Sequence, residues 1–264
     1  MTVLNMETAK TNIEYLLNIG LNALLFDSKQ LQALNEKTSS YLNYGVLRRY
    51  RYIKTNYNWI LSNLPQNRIN PLTMQEINDA ELHLNSIYFH TCGILDNIAW
   101  TFLYHLRPNE IKKYEQNPIS LQLFETFSDY FENIFKSKNE KQKWLGRISN
   151  RRHPFAHRLP LQIPAQKTCP KDQHIEKQLG IRMQSILNEV NEAPTLTKKR
   201  QLMENRRHLE QQKMQLPQCD LSFIYEPKAG KPLKTIPLYP TIETDLEILT
   251  RVIKQFNQVL LNSL

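Results

Sequence analysis

Apolar residues recur every three or four positions along most of the chain, the period of a helix that buries one face. Leu4, Ile13, Leu16, Leu17, Leu21, Leu24 and Leu25 predict a first helix over residues 4–26. Asp27-Ser28 offers an N-cap for a second helix running to about Leu64, where Pro65 ends it. Pro71-Leu72-Thr73 opens the clearest element, with Ile77, Ala80, Leu84, Ile87, Thr91, Ile94, Ile98 and Phe102 on one stripe and Leu95, Ala99 and Leu103 widening it. Pro108 stops this helix, which at about 34 residues is ~50 Å long and should form the spine of an antiparallel bundle.

Leu121, Phe124, Phe127, Phe131 and Phe135 predict a helix over 118–136, and Trp144, Leu145 and Ile148 another from about Asn139. The pattern breaks at Arg151-Arg152-His153-Pro154. Leu159-Pro-Leu-Gln-Ile-Pro164 carries proline too often for a helix and reads as extended. Two further helices follow over 171–192 and 195–215, the second so highly charged that it suits a solvated arm better than a core. Residues 221–226 and 233–238 flank Lys228-Ala-Gly230-Lys as a β-hairpin. A last helix over about 241–261 turns Leu246, Leu249, Ile253, Phe256 and Leu260 inward. The expected fold is therefore all-α: an antiparallel bundle of long helices with one small β-hairpin before the last.

Composition narrows the function. The 264 residues include only six glycines, at 20, 45, 93, 146, 180 and 230, and no two are close together. This excludes the glycine-rich phosphate loops of nucleotide enzymes and disfavours sandwiches and barrels. Apolar content is 41 per cent, and 24 Asn and 19 Gln supply much of the polar excess. No apolar run approaches a membrane span. Glu7 and Glu14 near the start, without a cationic stretch, argue against a signal peptide. Cys92, Cys169 and Cys219 fit neither a disulfide framework nor zinc spacing, so a cytoplasmic chain with reduced thiols, no metal and no cofactor is expected.

The net charge of +9 is local. Between Lys136 and Lys171 ten cations accompany one acid, Glu140, while the rest of the chain is neutral. A second stretch, Lys37 to Arg68, holds six cations and no acid, interleaved with Tyr41, Tyr44, Tyr50, Tyr52, Tyr57 and Trp59. Cations among aromatic faces suit phosphate contact with base stacking, and equally a solvated helix face with tyrosines at the core margin.

Inside the first basic stretch lies Arg152-His153-Pro154-Phe155-Ala156-His157. Histidine exchanges protons near neutral pH, and arginine forks two N–H donors onto phosphate. Together they meet the needs of metal-free RNA cleavage: His157 moves a proton and Arg152 stabilises charge on the phosphate. The second proton carrier would be His153, or a second His157 across a dimer. In an unbroken helix Arg152 and His157 stand about 140° apart. Pro154 predicts instead a helix end or kink at which both converge. His83 and His90, two turns apart on one helix, are too far apart to share a metal and read as surface or core histidines. Asp96-Asn97 on the spine helix would either support the fold or orient a motif side chain.

The motif resembles the signature of the HEPN superfamily: arginine, a polar residue, three variable residues, histidine. The wider string Arg152 to Leu161, and His90-Thr-Cys-Gly-Ile-Leu-Asp96-Asn97-Ile-Ala-Trp100, also resemble uncharacterised bacterial HEPN-like proteins. The resemblance spans about 75–165 and the last helix. It implies a homodimer in which two motifs face one another and cut RNA without metal, leaving 2′,3′-cyclic phosphate and 5′-OH ends, as in toxins and antiviral defence ribonucleases. Arg152 would be the phosphate-binding arginine, His157 the catalytic imidazole and His153 the polar residue after the arginine. Lys143, Arg147, Arg151 and Arg158 would bind neighbouring phosphates, with Asp96 and Asn97 in support. The chain would then be one domain: N-terminal helices over 1–70, core helices over 72–165, an insertion over 166–238 and a C-terminal core helix over 241–264. An antitoxin or other protein partner is compatible with this class. The alternative is a non-catalytic HEPN-like helical module that binds RNA or a protein.

Overall fold

A computed structural model describes residues 3–65, 72–115, 126–135, 137–157, 160–164, 173–214, 216, 221–227 and 231–264. It is all-α with one two-stranded antiparallel hairpin. The spine is helix α5, Met74–Leu106. Thr73 caps it by accepting from the Glu76 N–H, while the Glu76 side chain accepts from the Thr73 N–H, a reciprocal box that fixes its start. All of the expected stripe from Ala80 to Leu103 is buried.

Five elements precede α5: α1 (Val3–Asn22), α2 (Ser28–Ala33), α3 (Glu36–Ser40), a π-helical segment (Tyr41–Leu47) and α4 (Arg48–Asn63). The single helix expected from Ser28 to Leu64 is thus divided. Asp27 caps α2 as expected, but Leu34 is extended and Asn35 caps a new start by accepting from the Thr38 N–H. A residue that caps well competes with helix continuation, which apolar spacing alone does not register. In the π segment the widened turn changes the phase of every side chain that follows. Tyr50 and Tyr57 consequently point into the core, where the Tyr57 hydroxyl donates to the Ile242 carbonyl at 2.8 Å.

After α5 come a 3-10 turn (Pro108–Glu110), α6 (Ile111–Glu115) and a 3-10 segment (Ser128–Ile134). This last segment replaces the described part of the helix expected over 118–136. Phe127, Phe131 and Phe135 are nevertheless buried, the first two against Phe102 of α5 and the third against Trp144; Leu121 and Phe124 lie outside the described residues. Helix α7 (Lys138–His157) packs on α5 with Trp144, Leu145 and Ile148 inward. It does not break at Arg151 as expected but continues past Pro154.

The extended segment 160–164 satisfies its backbone on two sides. Asn85 of α5 donates to the Leu161 carbonyl at 3.1 Å and accepts from the Leu161 N–H at 3.0 Å, and Glu81 accepts from the Ile163 N–H. On the other side Gln162 exchanges both backbone bonds with Ile224 of the hairpin. The hairpin, β1 (Ser222–Tyr225) and β2 (Lys234–Pro237), therefore belongs to the core, with Phe223 fully buried. Helices α8 (Gln173–Glu192) and α9 (Leu196–Met214) pack on each other, joined by a Lys213–Glu176 ion pair at 3.2 Å. Their buried Ile186 and Leu209, and Ala193 in the connection between them, stand outside the main core, as a solvated arm requires.

The final helix, α10 (Leu238–Asn262), begins three residues earlier than expected and buries all five expected inward residues. It also carries Asp245, whose carboxylate meets Arg151 of α7 in the core; the same guanidinium donates to the Tyr88 hydroxyl at 2.9 Å, and that hydroxyl donates to Asp245 at 3.1 Å. Arg151 also lies 5.0 Å from the Tyr88 ring centre and 5.6 Å from that of Phe223. One side chain thus joins α5, α7, α10 and β1. Among the described residues no helix is long and apolar enough to cross a membrane.

Removing one partner strands the other charge in the core. Arg151→Met should therefore destabilise the protein by about 3–5 kcal/mol in urea unfolding. Adding Asp245→Leu to that variant should recover most of the loss, whereas additive losses would contradict the pairing.

Candidate functional site: a carboxylate between two arginines

The fates of the predicted phosphate contacts on α7 diverge sharply. Lys143 is exposed, and Arg147 is half-exposed with its guanidinium 3.9 Å from Asp245. Arg151 is only 3 per cent exposed, and its expected role as a phosphate ligand is replaced by the ion pair within the core. Arg152, the next residue, is half-buried on the side facing α5, near enough to Cys92 and Asp96 to influence both electrostatically. A helical side chain leans toward the N-terminus of its helix, so Arg152 reaches back over the turn at Ile148, which itself contacts Cys92. Arg158 lies outside the described residues, as do the side chains of His153 and His157; the backbone of α7 carries both histidine positions within the helix.

Asp96 therefore feels the charge of a cation supplied by α7. A second comes from α4, where Arg49 also acts on Asp96. Burial pushes the Asp96 carboxyl up to about 6, against the opposing pull of Arg152 and Arg49. Its Oδ1 is buried with no hydrogen-bond partner among the described residues. Such a desolvated carboxyl, shifted toward neutral pH with two guanidinium groups in electrostatic reach, is the kind of perturbed group that clusters at functional sites.

Arg49 is held from three directions. Its Nη1 lies 3.4 Å from His90 Nδ1, its Cζ 5.6 Å from the Phe89 ring centre, and its guanidinium against the backbone of Gly93. Burial, with Arg49 assisting, lowers His90 to about 4. The ring is neutral at pH 7 and accepts from Arg49, while Tyr52 packs on its face at 4.9 Å. His83 is also a packing histidine, stacked on Trp59 at 4.4 Å and bonded to the Asn56 carboxamide oxygen at 2.7 Å. Asn97 donates to the Gly93 carbonyl and lines a surface groove shared with the π segment. Cys92 is pushed up to about 12 by burial and is an inert thiol; Cys169 and Cys219 lie outside the described residues.

Sequence reasoning singled out Arg152 and Asp96 but not the fixed position of Arg49 beside them. The available signal was Gly93, a glycine inside an otherwise strong helix, which marks close approach by another group. No family model, curated protein or solved structure matches the chain.

The elevated Asp96 value has a stability consequence. Its folded-state value of about 6 exceeds the unfolded value of 3.8, so its favourable contribution is present at low pH and lost as pH rises through 6. Asp96→Asn should unfold at a higher temperature than wild type at pH 7.5, by about 1–2 kcal/mol of stability. The advantage should vanish near pH 4, and an advantage independent of pH would contradict the assignment.

Proposed function

We propose that the protein is a HEPN-like, metal-independent endoribonuclease acting as a homodimer. Arg152 binds the scissile phosphate and stabilises the charge that builds on its non-bridging oxygens. His157 transfers the proton of the 2′-hydroxyl or of the leaving 5′-oxygen, with His153 or the second His157 completing the acid–base pair. The products are a 2′,3′-cyclic phosphate and a 5′-hydroxyl. The observation that carries this reading is the charged cluster at the motif: Arg152 shares Asp96 with Arg49. The negative charge of Asp96 favours Arg152 on the side facing α5 before the phosphate arrives.

The continuity of α7 refines the proposal. With helix on both sides of Pro154, the positions of Arg152 and His157 are about 140° apart around the axis. A single chain then does not aim both at one phosphate, and the site pairs Arg152 of one subunit with His157 of the other. Exposed Lys143 and half-exposed Arg147 remain available for flanking phosphates.

Incubation of RNA with EDTA should give cyclic-phosphate products with wild type. Arg152→Ala and His157→Ala should each lower the rate by about 100-fold or more. With His153 as the second proton carrier, the two inactive variants mixed with subunit exchange should regain roughly a quarter of wild-type activity, because half the dimers then contain one complete site; with the second His157 in that role they should regain none. Undiminished cleavage by both variants rejects the assignment.

One observation favours the alternative of a non-catalytic module binding RNA or a protein: Arg152 is half-buried beside Asp96, as a structural lock would be. In that case both substitutions lower the melting temperature or dimerisation, and wild type has no nuclease signal to lose.

A further inference from the structure

A groove of about 280 Å³ lies between the π segment and α5, lined by Ser40, Tyr41, Tyr44, Gly45, Arg49 and Asn97. Two of the chain's six glycines serve it, one on each wall. A Cβ on Gly45 would fall 2.5 Å from the Asn97 carboxamide carbon, and one on Gly93 would fall 2.6 Å from Arg49 Nη1. Glycine within a helix is less favourable than alanine, so both walls sacrifice helix stability to bring these two polar side chains against backbone. The groove is built around the positions of Asn97 and Arg49.

Its remaining surface is aromatic. Tyr41 is fixed by stacking on Trp100 at 5.8 Å and on Tyr104 at 5.4 Å. Tyr44 is 72 per cent exposed at the mouth. The stretch Lys37 to Arg68 that supplies this wall contains no acid, and exposed Arg48 and Arg51 follow Tyr44 on the same element run. A π-face, a guanidinium, a carboxamide and a hydroxyl in a space near the lower limit of small-ligand pockets match a single nucleotide unit. Arg49 forms part of the groove and also acts on Asp96, which connects the groove to Arg152.

We propose that this groove receives one unpaired nucleotide of the RNA strand whose scissile phosphate meets Arg152, with its base on the Tyr44 ring and its phosphate on Arg49. The identity of the strand rests on the ribonuclease reading above. Recognition by stacking accepts any base, so the groove selects single-stranded over paired RNA rather than one sequence.

The test uses the full chain and a fluorescent single-stranded 2′-O-methyl oligonucleotide, which lacks the attacking hydroxyl and so reports binding without cleavage. Tyr44→Ala, an exposed position where folding is not at risk, should weaken binding about tenfold, while Tyr44→Trp retains it. Arg49→Gln should reduce the slope of log affinity against log salt by about 0.7, the value for one phosphate on a single strand. Equal affinity of Tyr44→Ala and wild type overturns the proposal, as does failure of wild type to bind the oligonucleotide. Binding that depends on Tyr44 without cleavage of ordinary RNA upholds the groove and ends the ribonuclease reading. Cleavage that depends on Arg152 with binding indifferent to Tyr44 does the reverse.

Discussion

The architecture of the site depends on the burial of Arg151. A guanidinium enters the core only with a carboxylate and further acceptors to replace water, and here Asp245, Tyr88 and two aromatic faces do so. Because those partners lie on α5, α10 and β1, the ion pair fixes α7 both along its axis and in rotation. Adjacent helical residues differ by about 100°, so fixing Arg151 determines where Arg152 points. The neighbouring arginine is carried to the flank of α5, within electrostatic reach of Cys92 and Asp96. Two residues of identical chemistry thereby take separate tasks, one holding the bundle together and one facing a charged cluster.

That cluster carries a stability cost which the rest of the fold offsets. Asp96 is kept near neutrality in its proton affinity by burial, and its Oδ1 has no hydrogen bond among the described residues. Gly45 and Gly93 give up helix propensity on facing walls. The compensation comes from the long α5 stripe, the phenylalanine group around Phe102, and the reciprocal bonds that fasten segment 160–164 to Asn85 and Gln162 to Ile224. Local penalties concentrated on one face of an otherwise consistent bundle are the pattern expected where structure yields to binding.

Much of this was legible in the sequence. The spine helix, its opening and its stop, the extended proline segment, the hairpin and the inward face of the last helix all follow from spacing and punctuation. Long apolar periods and prolines act locally, so a single sequence displays them. The divided N-terminal region was less visible, because Asn35 competes as a cap within an unbroken apolar period, and the approach of Gly45 in the π segment to Asn97 is a tertiary contact. The continuation of α7 past Pro154 likewise sets one lost backbone bond and a local clash against the packing of a whole helix on α5. Arg151 and Arg152 could not be told apart, since the partner that separates them, Asp245, is 94 positions away. Arg49 was visible as charge among aromatics, but its place beside Asp96 is a tertiary fact.

The electrostatic coupling of Arg152 to Asp96 is the link between fold and proposed chemistry, and a carboxyl carbon-13 titration of Asp96 tests it most directly. Wild type should titrate with a midpoint near pH 6, and Arg152→Gln, which removes a cation that favours the ionised form, should move the midpoint higher. A midpoint near the ordinary aspartate value, unchanged by Arg152→Gln, would contradict it.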